Sequence, residues 1–264
     1  MLGQVWTMID AHCHLYSDKY THDIDAVIKR AREVLESVVI SAVDAESLWK
    51  SITLRRQHPE FLYVTGGVHP RHAAQLGEAE LAQLWRNIER AKEELVAVGE
   101  VGPDFHRVKD SRLRQRQLLV LESAMTRAEA MGLPLVIHAR NAEAAALEVV
   151  SSSRTPVLFH CFNGSPHMAK RITRRGFYLS FSATLLFNEQ VRKAAIQVDQ
   201  DLILTETDSP ALSPRRGRPR NEPAFLKMVV SHLAKLLGIH PTEIGAITSA
   251  NAKRFYRLSS QPCA

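Results

Sequence analysis

Short apolar runs alternate along the chain with longer stretches in which apolar positions recur every three or four residues. The apolar runs lie at 5–11, 37–43, 61–68, 94–100, 133–138, 155–160, 176–182 and 201–206. Helical periodicity falls between them, at 22–36, 45–57, 78–93, 111–131, 141–151, 165–175, 188–197 and 222–238, and a last helix is expected over 241–257. The stretch 111–131 shows the pattern most plainly: Leu118, Leu121, Met125 and Ala128 share one face, Gly132 stops the helix and Pro134 opens the next strand. Runs such as Leu133 to Ile137 are apolar throughout, as strands covered on both faces of a parallel sheet are. Eight β-then-α units in about 250 residues predict a TIM (β/α)8 barrel, one domain over 1–264. A doubly wound open sheet would want a glycine-rich phosphate turn after its first strand. Here that turn reads Asp10-Ala-His-Cys-His14, without glycine.

The ends of the predicted strands carry the chemistry. Asp10, His12 and His14 end the first, His69 the third, and Glu100 the fourth with Asp104 behind it. His138 ends the fifth, His160 the sixth, and Glu206 and Asp208 the eighth. In a barrel all these ends meet on one face, where active sites are built. His12 and His14 stand two apart, so in an extended strand both imidazoles point to one side. Alone they read as a chance pair of half-buried histidines. Together with His138, His160 and carboxylates from other strand ends they need partners, because unpaired buried imidazoles and carboxylates are costly. Metal coordination satisfies them at once, and the mixed N/O donor set suits Zn, Mn, Co or Ni and accepts Mg.

Composition narrows the setting. The 264 residues are 45% hydrophobic and 23% charged, an ordinary globular balance that excludes a chain disordered throughout. The net charge of +6 leans mildly towards an anionic partner. No run approaches a membrane span of roughly 18 apolar residues. The first eleven residues lack the basic and long apolar regions of a secretory signal. Three cysteines cannot all pair. The expected address is therefore a reducing one, cytoplasmic, or nuclear in a cell with a nucleus. Cys13 and Cys161 read as small fillers in the barrel.

These motifs resemble the TatD family of metal-dependent deoxyribonucleases. The matching stretches are Ile9-Asp-Ala-His-Cys-His-Leu15, Gly67-Val-His-Pro70, Val98-Gly-Glu-Val-Gly-Pro-Asp104, Gln117, and Leu133-Pro-Leu-Val-Ile-His-Ala-Arg140. They continue with His160-Cys-Phe-Asn-Gly164, Leu204-Thr-Glu-Thr-Asp-Ser-Pro210, Arg220-Asn-Glu-Pro223 and Asn251-Ala-Lys-Arg-Phe255, in the family's order. The stretch from Thr207 with its Arg-Asn-Glu-Pro looks most like the eukaryotic/archaeal-type branch. The resemblance implies that His12 and His14 hold one metal, Glu100 bridges two, and His138 and His160 hold the second. It makes Asp208 a ligand that also takes the proton of the attacking water, and it puts His69 and Arg140 near the substrate phosphate. Two divalent ions (Mg, Mn or Zn) and a DNA substrate follow. Pro103 stands where the family usually has Leu, and Asn163 where it has Ser. Pro103 fixes φ and removes an N–H, which bears on the loop after Glu100.

Phosphodiester hydrolysis suits such a site, because two cations neutralise charge that develops on the phosphate oxygens. The expected activity is a deoxyribonuclease, endonuclease or 3′-exonuclease. The alternative is a small-molecule amidohydrolase acting on a cyclic amide or lactone with the same ligands. A third class is a non-catalytic nucleic-acid binder with a structural metal, but structural sites close on four ligands. Residues 214–220 read Pro-Arg-Arg-Gly-Arg-Pro-Arg and follow the eighth strand, so Arg215, Arg216 and Arg218 are expected to grip flanking phosphates. Arg220 is expected to brace the site through an ion pair with Glu222. The cluster Lys170, Arg171, Arg174 and Arg175 reads as a solvated helix face. Phe105, Phe162 and Phe187 read as core.

Overall fold

A computed structural model describes residues 7–215 and 220–258. Eight parallel strands run in sequence order around one sheet: β1 Ile9–Cys13, β2 Ser37–Ala42, β3 Leu62–Gly66, β4 Ala97–Val101, β5 Leu135–Ile137, β6 Val157–Phe159, β7 Tyr178–Phe181 and β8 Ile203–Thr205. Every strand but β3 is buried along its whole length, and β3 exposes only part of Tyr63. That is why the strands read as unbroken apolar runs. The outer helices are α1 Ile24–Arg32, α2 Ala45–Gln57, α3 Pro70–Gln75, α4 Glu78–Arg90, α5 Ser111–Met131, α6 Glu143–Val149, α7 Pro166–Thr173, α8 Glu189–Ala195, α9 Leu226–Leu237 and α10 Pro241–Tyr256. None of the described helices is long and apolar enough to cross a membrane.

The expected architecture is present, with shifted boundaries. The run 94–100 begins in a 3-10 turn, Lys92–Glu94, and its strand starts at Ala97. The helix expected from 222 starts at Leu226, after a 3-10 turn at Pro223–Phe225. Helix α3 was not anticipated; Pro70 at its first turn has a fixed φ that suits a helix start, and its missing N–H costs nothing there. Helix α5 has the predicted bounds because its signals are complete: Asp110 accepts from the Arg112 and Leu113 N–H groups, and Gly132 closes the end at φ 68°.

Two hydrophobic layers follow. One lies between sheet and helices, where Val27, Leu48, Leu84, Leu121, Ile172 and Leu233 pack against the strands. The other gathers Ile9, Ala11, Val39, Ala97, Val136, Leu158 and Leu204 with Phe255 and Tyr256 of α10. The barrel closes between β8 and β1 just beyond the strands. Asp208 N–H donates to His12 O at 3.0 Å and His14 N–H to Ser209 O at 2.7 Å. The buried Asp10 carboxylate accepts from Thr207 N–H at 2.9 Å and Thr207 Oγ1 at 2.5 Å. Burial pushes the Asp10 carboxyl up to about 8 against these hydrogen bonds. Asp10 therefore latches the seam between β1 and the segment after β8.

Candidate metal centre

The strand ends converge as the topology requires. The Glu100 carboxylate lies at the middle, only 3% exposed, and its two oxygens face two different sets of groups. Oε2 is 3.5 Å from His12 Nε2 and 3.8 Å from His14 Nε2. Asp208 Oδ1 faces the same two nitrogens, 3.9 Å from His12 and 3.2 Å from His14. Oε1 is 2.7 Å from His138 Nδ1, 3.0 Å from His160 Nε2 and 3.7 Å from His69 Nε2. Glu100 is held there by close backbone packing. A Cβ on Gly67 would lie 2.4 Å from the Glu100 carbonyl oxygen, so only glycine lets the end of β3 approach the end of β4 this closely.

Each histidine is oriented from behind. Ser41 O, which can only accept, lies 2.9 Å from His14 Nδ1, so that nitrogen carries a proton and Nε2 is the one turned to Asp208 and Glu100. His12 Nδ1 meets Ser41 Oγ at 3.0 Å. Asp104 Oδ2 stands 3.4 Å from His138 Nε2, and Glu206 Oε1 stands 3.4 Å from His160 Nδ1. Glu206, fully buried, is itself fixed by Ser180 Oγ at 2.5 Å. Asp104 and Glu206 were visible at strand ends in the sequence; each faces the histidine nitrogen turned away from Glu100 and so stands as a support for that ring.

The electrostatics describe a cation site. Burial alone would raise the Glu100 carboxyl, but His160, His69 and the hydrogen bonds of His12 and His138 hold it well below the usual carboxylate range. Burial opposes charge on His14, His138 and His160, and the carboxylates beside them raise all three above the ordinary histidine value. His12, stacked on His160 with ring centroids 3.9 Å apart, is lowered by burial and by that neighbour. Among the described residues four buried atoms here make no hydrogen bond: His12 Nε2, His138 Nε2, His160 Nδ1 and Glu206 Oε1, the last three in carboxylate–imidazole contacts of 3.4 Å that lack hydrogen-bond geometry. Orphaned imidazole nitrogens beside carboxylates are the donor set of a divalent ion. Among the described residues three overlapping groups could hold one: His12, His14 and Glu100; His69, Glu100 and His138; and His12, His160 and Glu206.

Comparison with known proteins agrees with the geometry. A sequence model of the family described as TatD related DNase matches residues 9–257. The chain belongs to the TatD family. It is 32% identical to YabD of Bacillus subtilis, an uncharacterized metal-dependent hydrolase, over 96% of this chain and 100% of that protein. It is 30% identical to the 3′-5′ ssDNA/RNA exonuclease TatD of Erwinia tasmaniensis, over 95% of this chain and 100% of the relative. Among solved structures, YJJV, a TatD homolog from Escherichia coli K12, superposes with a TM-score of 0.86 at 25% identity, covering 96% of this chain and 98% of that one.

In this TatD chain His14, Glu100, His138 and His160 of the candidate centre line a cleft of about 760 Å³, and His12 is buried beneath them. His69, Arg140 and Asp208 are in it, with Arg107, which opens the basic run 107–116 whose early part the sequence allowed to reach DNA; Tyr16, Arg71, His72 and His106, which sequence reading had not assigned to the site, join them. His69 Nδ1 accepts from Arg71 N–H at 3.1 Å, and burial lowers its pKa to about 4. It is therefore neutral with its proton on Nε2, a donor facing the cleft's interior. The loop carrying Pro103 stays against the end of β5: Arg140 N–H donates to Pro103 O and Phe105 N–H to Arg140 O. Gln117 ties this region to His69's neighbour, since its Nε2 donates to Pro70 O and its Oε1 accepts from Asp104 N–H.

Arg215 and Arg220, at the two ends of the Arg-rich stretch, are not where the sequence put them. Arg215 lays its guanidinium 4.0 Å over the Phe225 ring and lines a separate pocket with Asp23, Arg30 and Glu222. Arg216 and Arg218 lie outside the described residues. Arg220 does not pair with Glu222. Its guanidinium grips both oxygens of Asp23 at 2.6 and 2.7 Å, and Glu222 pairs with Arg30 at 2.6 Å. The reason is tertiary: α1 and the turn before it bring both partners in from far along the chain. Phe162 is buried, but Phe187 is 58% exposed. Cys13 is fully buried, whereas Cys161, at φ 47°, lines the cleft and pairs with Ser182 Oγ. Lys170, Arg171, Arg174 and Arg175 are exposed around the end of α7.

Proposed function

We propose that the chain is a deoxyribonuclease, endonuclease or 3′-exonuclease, that hydrolyses phosphodiesters with two divalent cations drawn from Mg, Mn and Zn. The observation that carries this reading is Glu100, whose two oxygens serve two separate sets of imidazoles. His12, His14, Asp208 and Glu100 Oε2 would hold one ion; His138, His160 and Glu100 Oε1 would hold the other. When bound, such ions supply Lewis-acid stabilisation of the charge that develops on phosphate oxygens.

The chain's own groups supply the rest. Asp208 is kept ionised: burial works against its charge, and the hydrogen bond and charge of His14, with His12 and His160, outweigh that. Its Oδ1 is the acceptor for the proton of the attacking water. His69 Nε2–H donates to a phosphate oxygen. Arg140 and Arg107, on the cleft's rim, hold neighbouring phosphates. The amidohydrolase alternative has no comparable support from the named relatives.

The test is Glu100→Ala on labelled DNA, with an RNA strand included because the Erwinia relative's name covers both. The expected outcome is loss of hydrolysis with an unchanged circular dichroism spectrum and about two ions bound per wild-type chain. Near-normal turnover in the variant would overturn the two-ion reading. A single tightly held ion would favour a mononuclear site at His12, His14 and Asp208.

A further inference from the structure

One wall of the cleft carries two asparagines whose amides cannot flip. Asn188 caps α8, and its Oδ1 accepts from Gln190 N–H at 2.9 Å and Val191 N–H at 3.4 Å. Both partners are donors, so the oxygen must face them and Nδ2 must point away. Asn163 is fixed the opposite way. Its Nδ2 donates to Cys161 O at 2.6 Å, an atom that can only accept, so Oδ1 points away. Gln190 clamps the two loops together, its Nε2 donating to Asn163 O at 3.3 Å. Among the described residues nothing accepts from Asn188 Nδ2 and nothing donates to Asn163 Oδ1.

Both residues line the same cleft as His160 and Asp208. Beside them stand Ala211 and Leu212, the latter 39% exposed. Leu212 is held at φ 51°, a backbone state costly for a branched residue, while its carbonyl accepts from Asn221 Nδ2 at 3.3 Å. The cationic side chains Arg71, Arg107 and Arg140 come from the loops after β3, β4 and β5. Among the described residues that line the cleft, those after β6, β7 and β8 therefore offer one fixed donor, one fixed acceptor and the apolar Ala211 and Leu212, with no lysine or arginine.

We propose that Asn188 Nδ2 and Asn163 Oδ1 form a subsite for the edge of one unpaired nucleobase, with Leu212 against its face. This rests on the nuclease reading and adds which part of the substrate each wall holds. A nucleobase released from pairing shows neighbouring donors and acceptors on its Watson–Crick edge, and amides read such edges. In a duplex that edge is occupied by the opposite base. Phosphates belong on the arginine side, and the base beside the scissile phosphate turns to the asparagine side.

The experiment compares full-length, manganese-loaded wild type with Asn163→Ser/Asn188→Ser. Serine retains the helix cap, because it serves there as well as asparagine. The probe is a dye-labelled single strand with phosphorothioate linkages, and a series in which one abasic position is moved stepwise from the 3′ end. In wild type, removing the base at one position is expected to weaken binding about tenfold, the size of one or two neutral hydrogen bonds. In the double variant the intact strand binds about tenfold more weakly and the series is flat. A flat series in wild type, or an unchanged step in the double variant, overturns the subsite. Cleavage of an ordinary strand by wild type is measured alongside. Cleavage with a flat series removes the subsite alone; neither binding nor cleavage of any strand removes the nuclease reading and the subsite with it.

Discussion

Gly67→Ala is a one-carbon test of how Glu100 is held. The added Cβ would lie 2.4 Å from both Glu100 O and Gly99 C, and 2.6 Å from Glu100 N. All three are backbone atoms, so no side chain can swing aside. Ordinary contact begins near 3.4 Å, which requires about 1 Å of movement between the ends of β3 and β4. Gly67 is not among the residues with positive φ, so alanine carries no backbone penalty and the effect is contact alone. Overpacking of this kind costs about 1–3 kcal/mol. At roughly 2–4 °C per kcal/mol for a chain of this size, the melting temperature should fall by several degrees. The larger effect is chemical. Glu100 Oε1 sits 2.7 Å from His138 and 3.0 Å from His160, and misplacement by about 1 Å is worth about a hundredfold in rate. The assay is turnover on a labelled strand at saturating manganese, with melting and metal content measured on the same preparation. Gly77→Ala is the control, since its Cβ meets only the tip of Glu80 at 3.4 Å. Wild-type turnover, metal content and melting in Gly67→Ala would refute the claim that this contact positions Glu100.

Glu206→Gln should loosen His160 and weaken metal affinity by about ten- to a hundredfold, read by chelator competition; an unchanged affinity would remove Glu206 from that role. His14, His138 and His160 bind protons more tightly than ordinary histidines in the metal-free protein. Metal affinity should therefore rise with pH, and uptake near neutrality should release protons, seen by calorimetry in two buffers of different ionisation enthalpy. The same raised values stabilise the metal-free fold fully below the ordinary histidine pKa, a contribution that fades as pH rises through the folded values. Glu100, being depressed, contributes above the ordinary carboxylate pKa and loses it as pH falls through its folded value. Arg107→Ala and Arg140→Ala should each lower the slope of log K against log salt for DNA by roughly one unit, whereas Arg215→Ala should leave it unchanged. Equal slopes for Arg140→Ala and Arg215→Ala would contradict the placement of the phosphate track.

What could be read from the sequence was whatever depends on chain order alone. The eight strands announced themselves because each is buried on both faces. His12, His14, Glu100, His138, His160 and Asp208 follow from position, since the ends of parallel strands must meet. Partners brought together by packing were not legible. Arg220 and Glu222 are near neighbours in sequence, yet each finds its counter-ion on or just before α1. Arg215 has the charge for a phosphate contact but rests on Phe225. Phe187 has a core residue's composition, but the loop before α8 turns it outward. Glu206 and Asp208 stand two apart on the same motif, and only distance separates the residue behind His160 from the one facing His14.

The seam between β1 and β8 gives the metal site a mechanical meaning. Among the described residues the strand ladder runs from β1 to β8 without a β8–β1 pairing, and the two ends of the barrel are joined by bonds around Asp10, His12, His14, Thr207 and Ser209. His12 and His14 stand on one lip of that seam and Asp208 on the other. An ion held by all three would be a cross-link spanning nearly 200 residues of chain, and a tie of that length removes far more freedom from the unfolded chain than a local one does. The cation would then act as the rivet of a hoop as well as a reagent. Stripping it should let β1 and β8 exchange their amide protons before β4 and β5 do, so that the enzyme loses its shape first where it keeps its chemistry.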